Sequence, residues 1–417
     1  MTNEGATKHG EARTKLAVVG DTVHHVDDDG RLWTHAALAS QLDLWFAHFT
    51  DVTFAGVLEA GPPPPGFAPY QRRDVSFVAL PHAGGTGIRA KLGVLRALVD
   101  WIRLLVPLLR SADAVHLRTP CNVTIPGLIL ARLLAKNRYA IFAGSWHAYK
   151  GEPASYKLQR WLERRWFGGV VHAYIPPTES PDRPNLRPGF SPVLSTQQLD
   201  ALTASSQTVR AQDNRPLTDR PIRIVSVGRF SVNKNQIVLV EALRLLQSSG
   251  TSVECHFIGD GSELRSVKIA AANLTGVSFT AHAGRTEVFD AMQSADLNVL
   301  PSFREGYPKV LLEGMSAGAL PIAADTPVNR AMTDGRGWVF DPTSACSLAR
   351  LVETIRLIDP SDLESRRERC TTYAHAHTLD AFASEVQHIV KDIWSISSDL
   401  NVSFPHKDSR PDHATAT

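Results

Sequence analysis

The chain has 417 residues, 43% hydrophobic and 21% charged, so two or three domains with substantial cores are expected. Its 44 Lys and Arg residues stand against 42 Asp and Glu, a formal charge of +2, which is too balanced for a nucleic-acid binder that grips by bulk charge. Cysteines 121, 255, 346 and 370 form no CxxC pair, which argues against a zinc ribbon or a disulfide framework.

Residues 1–14 are polar and lack the apolar stretch of a signal peptide, and no run of about 18 apolar residues marks a membrane helix. A cytoplasmic location is therefore expected. Short apolar runs then alternate with helical spacing. Strands are expected at 16–19, 52–57, 75–80, 115–117, 139–143 and 170–174, with helices over 33–49, 89–110, 123–135 and 153–167. Residues 176–192 are proline-rich and 203–220 are polar, which reads as a linker. The alternation restarts at Ile222, with strands at 222–227, 253–258, 277–280, 296–300 and 320–323.

This pattern predicts an α/β chain of two Rossmann-like, doubly wound domains with parallel sheets, over 15–200 and 220–375. A helix over 376–397 is expected to pack back toward the first domain, and 1–14 and 398–417 read as disordered. Two such domains make the cleft at their strand carboxyl ends the default site.

Residues 89–110 carry basic groups at 89, 91, 96, 103 and 110 beside Trp101 and many leucines. Such a helix either covers the sheet or lies in a membrane surface. Pro107 should kink or end it late. Residues 1–190 carry 22 basic and 16 acidic groups, and 191–417 carry 22 and 26, so the first half is the side that would meet an anionic surface or acceptor. The acidic run Asp27, Asp28 and Asp29 ends in Gly30 and reads as a solvated turn.

The strongest chemical signal is PSFREGYPKVLLEG, 301–314. An apolar strand ends at Pro301, and Pro308 stands where a helix would begin, so free N–H groups face the strand end and form an anion site. Glu305 precedes that site. A carboxylate there is unfavourable unless it accepts hydrogen bonds, for example from sugar hydroxyls. Glu313 lies on the helix and could instead pair with Lys309. In VGRFSVNKN, 227–235, Gly228 allows a tight turn from which Arg229 and Lys234 can reach phosphate oxygens. FIGDG, 257–261, is another strand with a glycine turn, at Gly259 and Gly261, open to a flat ring.

Together these residues resemble the retaining glycosyltransferases of family 4, which have the GT-B fold. The resemblance is carried by VGRFSVNKN, FIGDGSEL (257–264), HAGR (282–285), ADLNVLPSFREGYPKVLLEGMSAGALPIAAD (295–325) and GRGWVF (335–340), in the family's order. It implies a retaining, hexosyltransferase-type enzyme that moves a sugar from a nucleotide-sugar donor, a UDP- or GDP-sugar, to a glycan or lipid-linked acceptor in cell-surface polysaccharide or glycolipid assembly.

By the same resemblance, Arg229 and Lys234 would grip the donor diphosphate and Glu305 would face the sugar hydroxyls. Gly306, Tyr307 and Lys309 would offer backbone N–H groups, with Pro308 between them and Val310 and Leu311 continuing the helix start. Glu313 would hold the ribose, and Gly259, Gly261 and Gly284 would flank the base. His147, in IFAGSWHAYKGE (141–152), resembles the histidine placed close to the transferred sugar. No Asp-x-Asp motif occurs, no essential metal is expected, and nucleic acid is not an expected partner.

The first half departs from the family. Gly20 follows the first strand without a second glycine, and DTPVNRAM (325–332) lacks glycines common in relatives. PHAGGTG, 81–87, is either a plain turn or part of the acceptor cleft. Two rivals stay open, a sugar-nucleotide epimerase on the same fold and a non-catalytic sugar-nucleotide-binding subunit. A peripheral membrane surface, at the inner face, is a further candidate partner.

Overall fold

The computed structural model describes residues 13–85, 88–149, 151–176, 183–213 and 215–396. The disorder expected of the termini concerns residues outside these, apart from Arg13 and Thr14, whose backbone N–H donates to Thr50 Oγ1 (2.9 Å).

The first unit contains β1 (Lys15–Val26), β2 (Leu32–His35), α1 (Ala36–Phe46), β3 (Asp51–Leu58), β4 (Phe67–Pro69), β5 (Ser76–Ala79), α2 (Ile88–Ser111), β6 (Ala114–Thr119), α3 (Thr124–Leu134), β7 (Asn137–Phe142), α4 (Ala154–Arg165), β8 (Val170–Ala173) and β9 (Leu186–Pro188). Its parallel sheet runs β5-β3-β1-β6-β7-β8-β9. Leu16 to Val19 are buried on both faces of β1. Leu16 and Val18 meet the α1 side, and Ala17 and Val19 meet the α2 and α3 side. Such two-sided burial is why the strands read as short apolar runs without alternation.

The helix expected over 33–49 begins only at Ala36. Leu32–His35 alternates buried and exposed positions and pairs antiparallel with the end of β1 (His25 with Trp33) and with β4. Asp27 fixes the connecting turn, accepting from Trp33 Nε1 at 2.7 Å and from the Arg31 N–H at 2.8 Å. The expected linker also gains structure. Thr196–Ala211 forms α5, started by a capping box between Ser195 and Gln198. Its buried stripe is narrow, essentially Leu199 and Ser206, which is why composition reads it as polar.

The second unit contains β10 (Ile222–Val227), α6 (Gln236–Ser248), β11 (Val253–Ile258), α7 (Leu264–Ala271), β12 (Val277–Thr280), α8 (Arg285–Gln293), β13 (Leu297–Leu300), α9 (Lys309–Ser316), β14 (Leu320–Ala324), α10 (Pro327–Thr333), β15 (Trp338–Phe340), α11 (Ala345–Arg356) and α12 (Pro360–His375). Its six strands are all parallel, in the order β12-β11-β10-β13-β14-β15. The chain is therefore α/β with two Rossmann-like parallel-sheet units, as the alternation predicts.

From α12 the chain continues into α13 (Leu379–Gln387) and a π-helical turn, His388–Ile393. Phe382, Val386, Ile389, Val390 and Trp394 pack into the first unit's core with Leu42, Trp45 and Phe46. Glu385 lies 3.3 Å from His172 and 3.4 Å from Arg187 of the first unit.

At the entry to the second sheet, Asp296 accepts both arms of Arg220 (2.6 and 2.8 Å) and the Arg223 N–H (2.9 Å). Both side chains are more than nine-tenths buried. Removing one partner of a buried pair leaves an uncompensated charge, so Asp296→Ala should cost about 3–5 kcal/mol in urea unfolding. A loss under about 1 kcal/mol would show the clamp to be dispensable.

Candidate active site

The strand order of the second sheet reverses between β10 and β13, the position at which open parallel sheets bind ligands. After β10, Gly228 takes φ +152°. Arg229 projects into solvent, and Val232–Lys234 forms a single 3-10 turn. Asn235 closes it in the left-handed conformation (φ 52°), which asparagine tolerates better than most residues. The Asn235 side chain donates to the carbonyls of Pro301 (3.3 Å) and Pro342 (2.8 Å).

The two loops are laced together further along. The Phe303 N–H donates to the Asn233 carbonyl (2.9 Å), and Asn233 Nδ2 donates to the Arg304 carbonyl (3.0 Å). Lys234 Nζ donates to Glu305 Oε1 at 2.6 Å. Asn233 and Asn235 carry no functional expectation from the sequence. The one available signal is an asparagine where a turn must go left-handed before a helix.

Behind the second loop, Asn298 is fully buried and its Nδ2 donates to the Val310 carbonyl (2.7 Å). A Cβ at Gly314 would come 2.2 Å from that nitrogen, so Gly314 is what lets α9 lie this close on β13. Pro308 flanks α9 rather than opening it. The Lys309 and Leu311 N–H groups are taken by the carbonyls of Tyr307 and Pro308 (2.9 Å each). Leu311 is fully buried and supports the helix start rather than lining the crevice. Val310 packs against the core of the same sheet.

The glycine turns at Gly259 and Gly261 meet protein. A Cβ at Gly259 would fall 2.2 Å from the Gly228 carbonyl, and one at Gly261 2.1 Å from the Phe230 carbonyl. These glycines let the loop after β11 lie against the loop after β10. Gly284 caps α8, its N–H donating to Glu287 Oε2 (2.6 Å).

The first unit closes the crevice. A Cβ at Gly306 would sit 2.6 Å from the Ala143 carbonyl and 3.1 Å from Gly144 C, so this loop touches the end of β7 backbone to backbone. Tyr307 packs on Tyr174 (ring centroids 5.2 Å), and the Arg304 guanidinium lies 4.7 Å above the Tyr149 ring. His147 is half-buried in the loop after β7, and its carbonyl accepts from Ser145 Oγ (3.2 Å). The facing loop touches this one on either side of His147, at Ala143 and Gly144 and again at Tyr149.

Charges converge in the crevice. Burial above all, with the charges of Arg118 and Arg285 added and Glu313 opposing, pushes the Lys309 ammonium down to about 8. Burial raises the Glu313 carboxyl, against the pull of Arg285 and Lys309. No ion pair joins Glu313 to Lys309, the alternative the sequence left open. Burial pushes the His35 imidazole down, and the charges of Lys309 and Arg229 push it further. His35 and Arg118 carry no expectation from the sequence, since nothing in their local spacing marks them. Thr326, in DTPVNRAM, caps α10 by accepting from the Asn329 N–H (3.3 Å).

With this geometry in hand, the comparisons with known proteins fall into place. Residues 209–377 match the family model described as Glycosyl transferases group 1. A Bacillus subtilis (strain 168) protein named as a glycosyltransferase, EpsD, is 24% identical over 314 residues, 69% of this chain and 78% of that one. The GDP-mannose:cellobiosyl-diphosphopolyprenol alpha-mannosyltransferase of Xanthomonas campestris is 30% identical over 156 residues, 35% of this chain and 40% of its own.

Among solved structures, sucrose-phosphate synthase from Thermosynechococcus elongatus superposes with a TM-score of 0.63 at 17% identity, covering 92% of this chain and all of that one. Anabaena HepE in complex with UDP and glucose superposes with a TM-score of 0.62 at 14% identity, covering 91% and 100%. These structures show the fold. Fold, matched domain and relatives together support a GT-B glycosyltransferase, and none of them favours the epimerase or the non-catalytic subunit.

The position of Lys309 gives a pH test. Its ammonium is charged below about pH 8 and neutral above, whereas an ordinary lysine stays charged to about pH 10. A nucleoside diphosphate held in the crevice should therefore bind more weakly as pH rises through about 8, read by calorimetry. Flat affinity to about pH 10 would place this ammonium outside the anion's reach.

Proposed function

We propose that the protein is a retaining glycosyltransferase of family 4 that moves a hexose from a UDP- or GDP-sugar to a glycan or lipid-linked acceptor. The observation that carries the proposal is the convergence of the loops after β10 and β13 at the switch point. There Lys234 meets Glu305 at 2.6 Å and Arg229 stands open. The second unit, 220–375, holds the donor, and the first, 15–200, presents the acceptor.

In this reading, Arg229 and Lys234 take the donor diphosphate, and the backbone from Gly306 to Val310 lies along sugar and phosphate. Glu305 accepts from the sugar hydroxyls while its other oxygen holds Lys234 in place. Glu313 accepts from the ribose, with Gly228, Gly259, Gly261 and Gly284 shaping the wall beside the base. The bond from the anomeric carbon to the diphosphate oxygen breaks as the acceptor oxygen bonds the same carbon from the same face. The acceptor proton passes to the departing phosphate oxygen, and His147 polarises a hydroxyl nearby. Charge grows on the diphosphate as it leaves, and two fixed cations stabilise it without reorganising. The reading calls for no metal.

Assembly of a cell-surface polysaccharide or glycolipid fits the relatives, one of which is named for a diphosphopolyprenol acceptor. A peripheral membrane position, at the cytoplasmic face, fits the surface of the first unit. Among the described residues no helix is long and apolar enough to cross a membrane. However, α2 exposes Leu95 (63%), Leu92 (52%) and Val99 (51%) beside Arg96, Arg103 and Arg110. The neighbouring helices expose Leu133 (65%) and Trp161 (55%). Pro107 lies within α2, which continues to Ser111.

Glu305→Ala should abolish sugar transfer and leave the melting temperature close to that of the parent chain, and near-normal turnover would remove Glu305 from the mechanism. Arg229→Ala and Lys234→Ala should each weaken nucleoside diphosphate binding by about 1.5–3 kcal/mol, read by calorimetry. Proton NMR of the product should show the donor's anomeric configuration, and the opposite configuration would rule out retention. Replacing Arg96 and Arg103 by Glu should weaken binding to anionic phospholipid vesicles by about 1 kcal/mol or more per site. Unchanged co-sedimentation would take α2 off the membrane.

A further inference from the structure

Arg118 is a half-buried cation with no task in the donor site. It stands at the carboxyl end of β6, opposite Ile141 of β7 and beside Gly20 in the middle of β1, just past the last β1–β6 pair, Val19 with Leu117. A Cβ at Gly20 would come 3.2 Å from Arg118 Cβ. Strands β1 and β6 are where the first sheet reverses direction, as β10 and β13 are in the second. Open parallel sheets bind ligands at that position.

Two buried arginines of this chain each have a carboxylate partner. Arg220 holds Asp296 at 2.6 Å, and Arg160 holds Glu152 at 2.8 Å. Among the described residues Arg118 has neither an ion pair nor a side-chain hydrogen bond. Its surroundings are the phenols of Tyr70, Tyr139 and Tyr174 and the Cys121 thiol, and burial pulls its pKa down. Asp21 is within electrostatic reach but makes no ion pair with it. A guanidinium half withdrawn from water and without a partner gains from an anion that arrives beside it.

The opposite wall adds positive charge. Lys309 feels Arg118, and His35 feels both Lys309 and Arg229. The donor diphosphate has its own cations, Arg229 and Lys234, on the second sheet, so Arg118 on the first sheet is left for the other substrate.

We propose that Arg118 is the anchor of a second anion subsite, which binds an oxyanion carried by the acceptor, a phosphate ester or a sugar carboxylate. The proposal rests on the glycosyltransferase reading above and deepens it, because it makes the acceptor anionic close to the hydroxyl that reacts. The flat fork of arginine suits either group bidentately.

The test uses the full chain with its donor subsite filled by saturating nucleoside diphosphate. Inorganic pyrophosphate and glucuronate are then titrated as probes, by calorimetry, into the parent chain and Arg118→Gln. The parent chain should bind one further anion. Arg118→Gln should weaken it about tenfold or more while nucleoside diphosphate affinity stays within about twofold. Preference for pyrophosphate points to a phosphate-linked acceptor, and preference for glucuronate to an acidic sugar.

No second anion on the parent chain overturns the proposal. So does an equal loss of nucleoside diphosphate affinity in the variant, which would assign Arg118 to the donor. If no nucleoside diphosphate binds at all, the glycosyltransferase reading itself fails. A readout that needs no variant is phenylglyoxal labelling of the nucleotide-saturated parent chain, followed by mass spectrometry. The preferred probe should protect Arg118, and unchanged labelling would overturn the assignment.

Discussion

The cleft depends on how near the loop after β13 can come to the end of β7, and Gly306 sets that distance. With no side chain at 306, backbone meets backbone at Ala143 and Gly144, where any Cβ would fall 2.6 Å from a carbonyl oxygen. The close approach brings Tyr307 onto Tyr174 and Arg304 over Tyr149, so three successive parts of one loop touch the first unit. The return of α13 to the core around Trp45 holds the two units from the other side. Lys309, two residues beyond the first of these contacts, is thereby carried close to Arg118 and His35 of the opposite sheet.

This closeness has an electrostatic consequence. Lys309 and Arg285 flank one carboxylate, Glu313, Arg118 acts on Lys309 from the first sheet, and Lys234 and Glu305 neutralise each other. The chain as a whole is nearly neutral, and its second half is acidic. The positive field of the cleft is thus local, built from a few placed groups rather than from bulk charge. Burial first, and then the like charges of Arg118 and Arg285, hold Lys309 below an ordinary lysine. That repulsion is relieved when anions enter.

The second unit was legible because each of the two loops at its switch point carries its own local motif. Arg229, Lys234, Glu305 and Glu313 fall in two short segments with recognisable spacing, and the alternation of strands and helices gave the parallel sheets. The first unit's wall was not legible in the same way. His35, Arg118, Ala143, Gly144 and Tyr174 come from four separated segments and meet only after the sheet forms. Local patterns also misled. Leu32–His35 reads as helix but is pulled into a strand by pairing with β1. Thr196–Ala211 reads as linker because its buried stripe is only a few residues wide. Gly259 and Gly261 read as room for a ligand, yet each is needed for packing against the backbone of the neighbouring loop.

The central claim is that the cleft is built around a sugar nucleotide. A thermal-shift screen of the full chain against UDP-, GDP-, ADP- and TDP-sugars, with the free sugars and nucleoside monophosphates alongside, tests it most directly. The account predicts that at least one nucleoside diphosphate sugar raises the melting temperature, that the matching nucleoside diphosphate does so too, and that the free sugar does not. A flat response to every nucleotide sugar would contradict it.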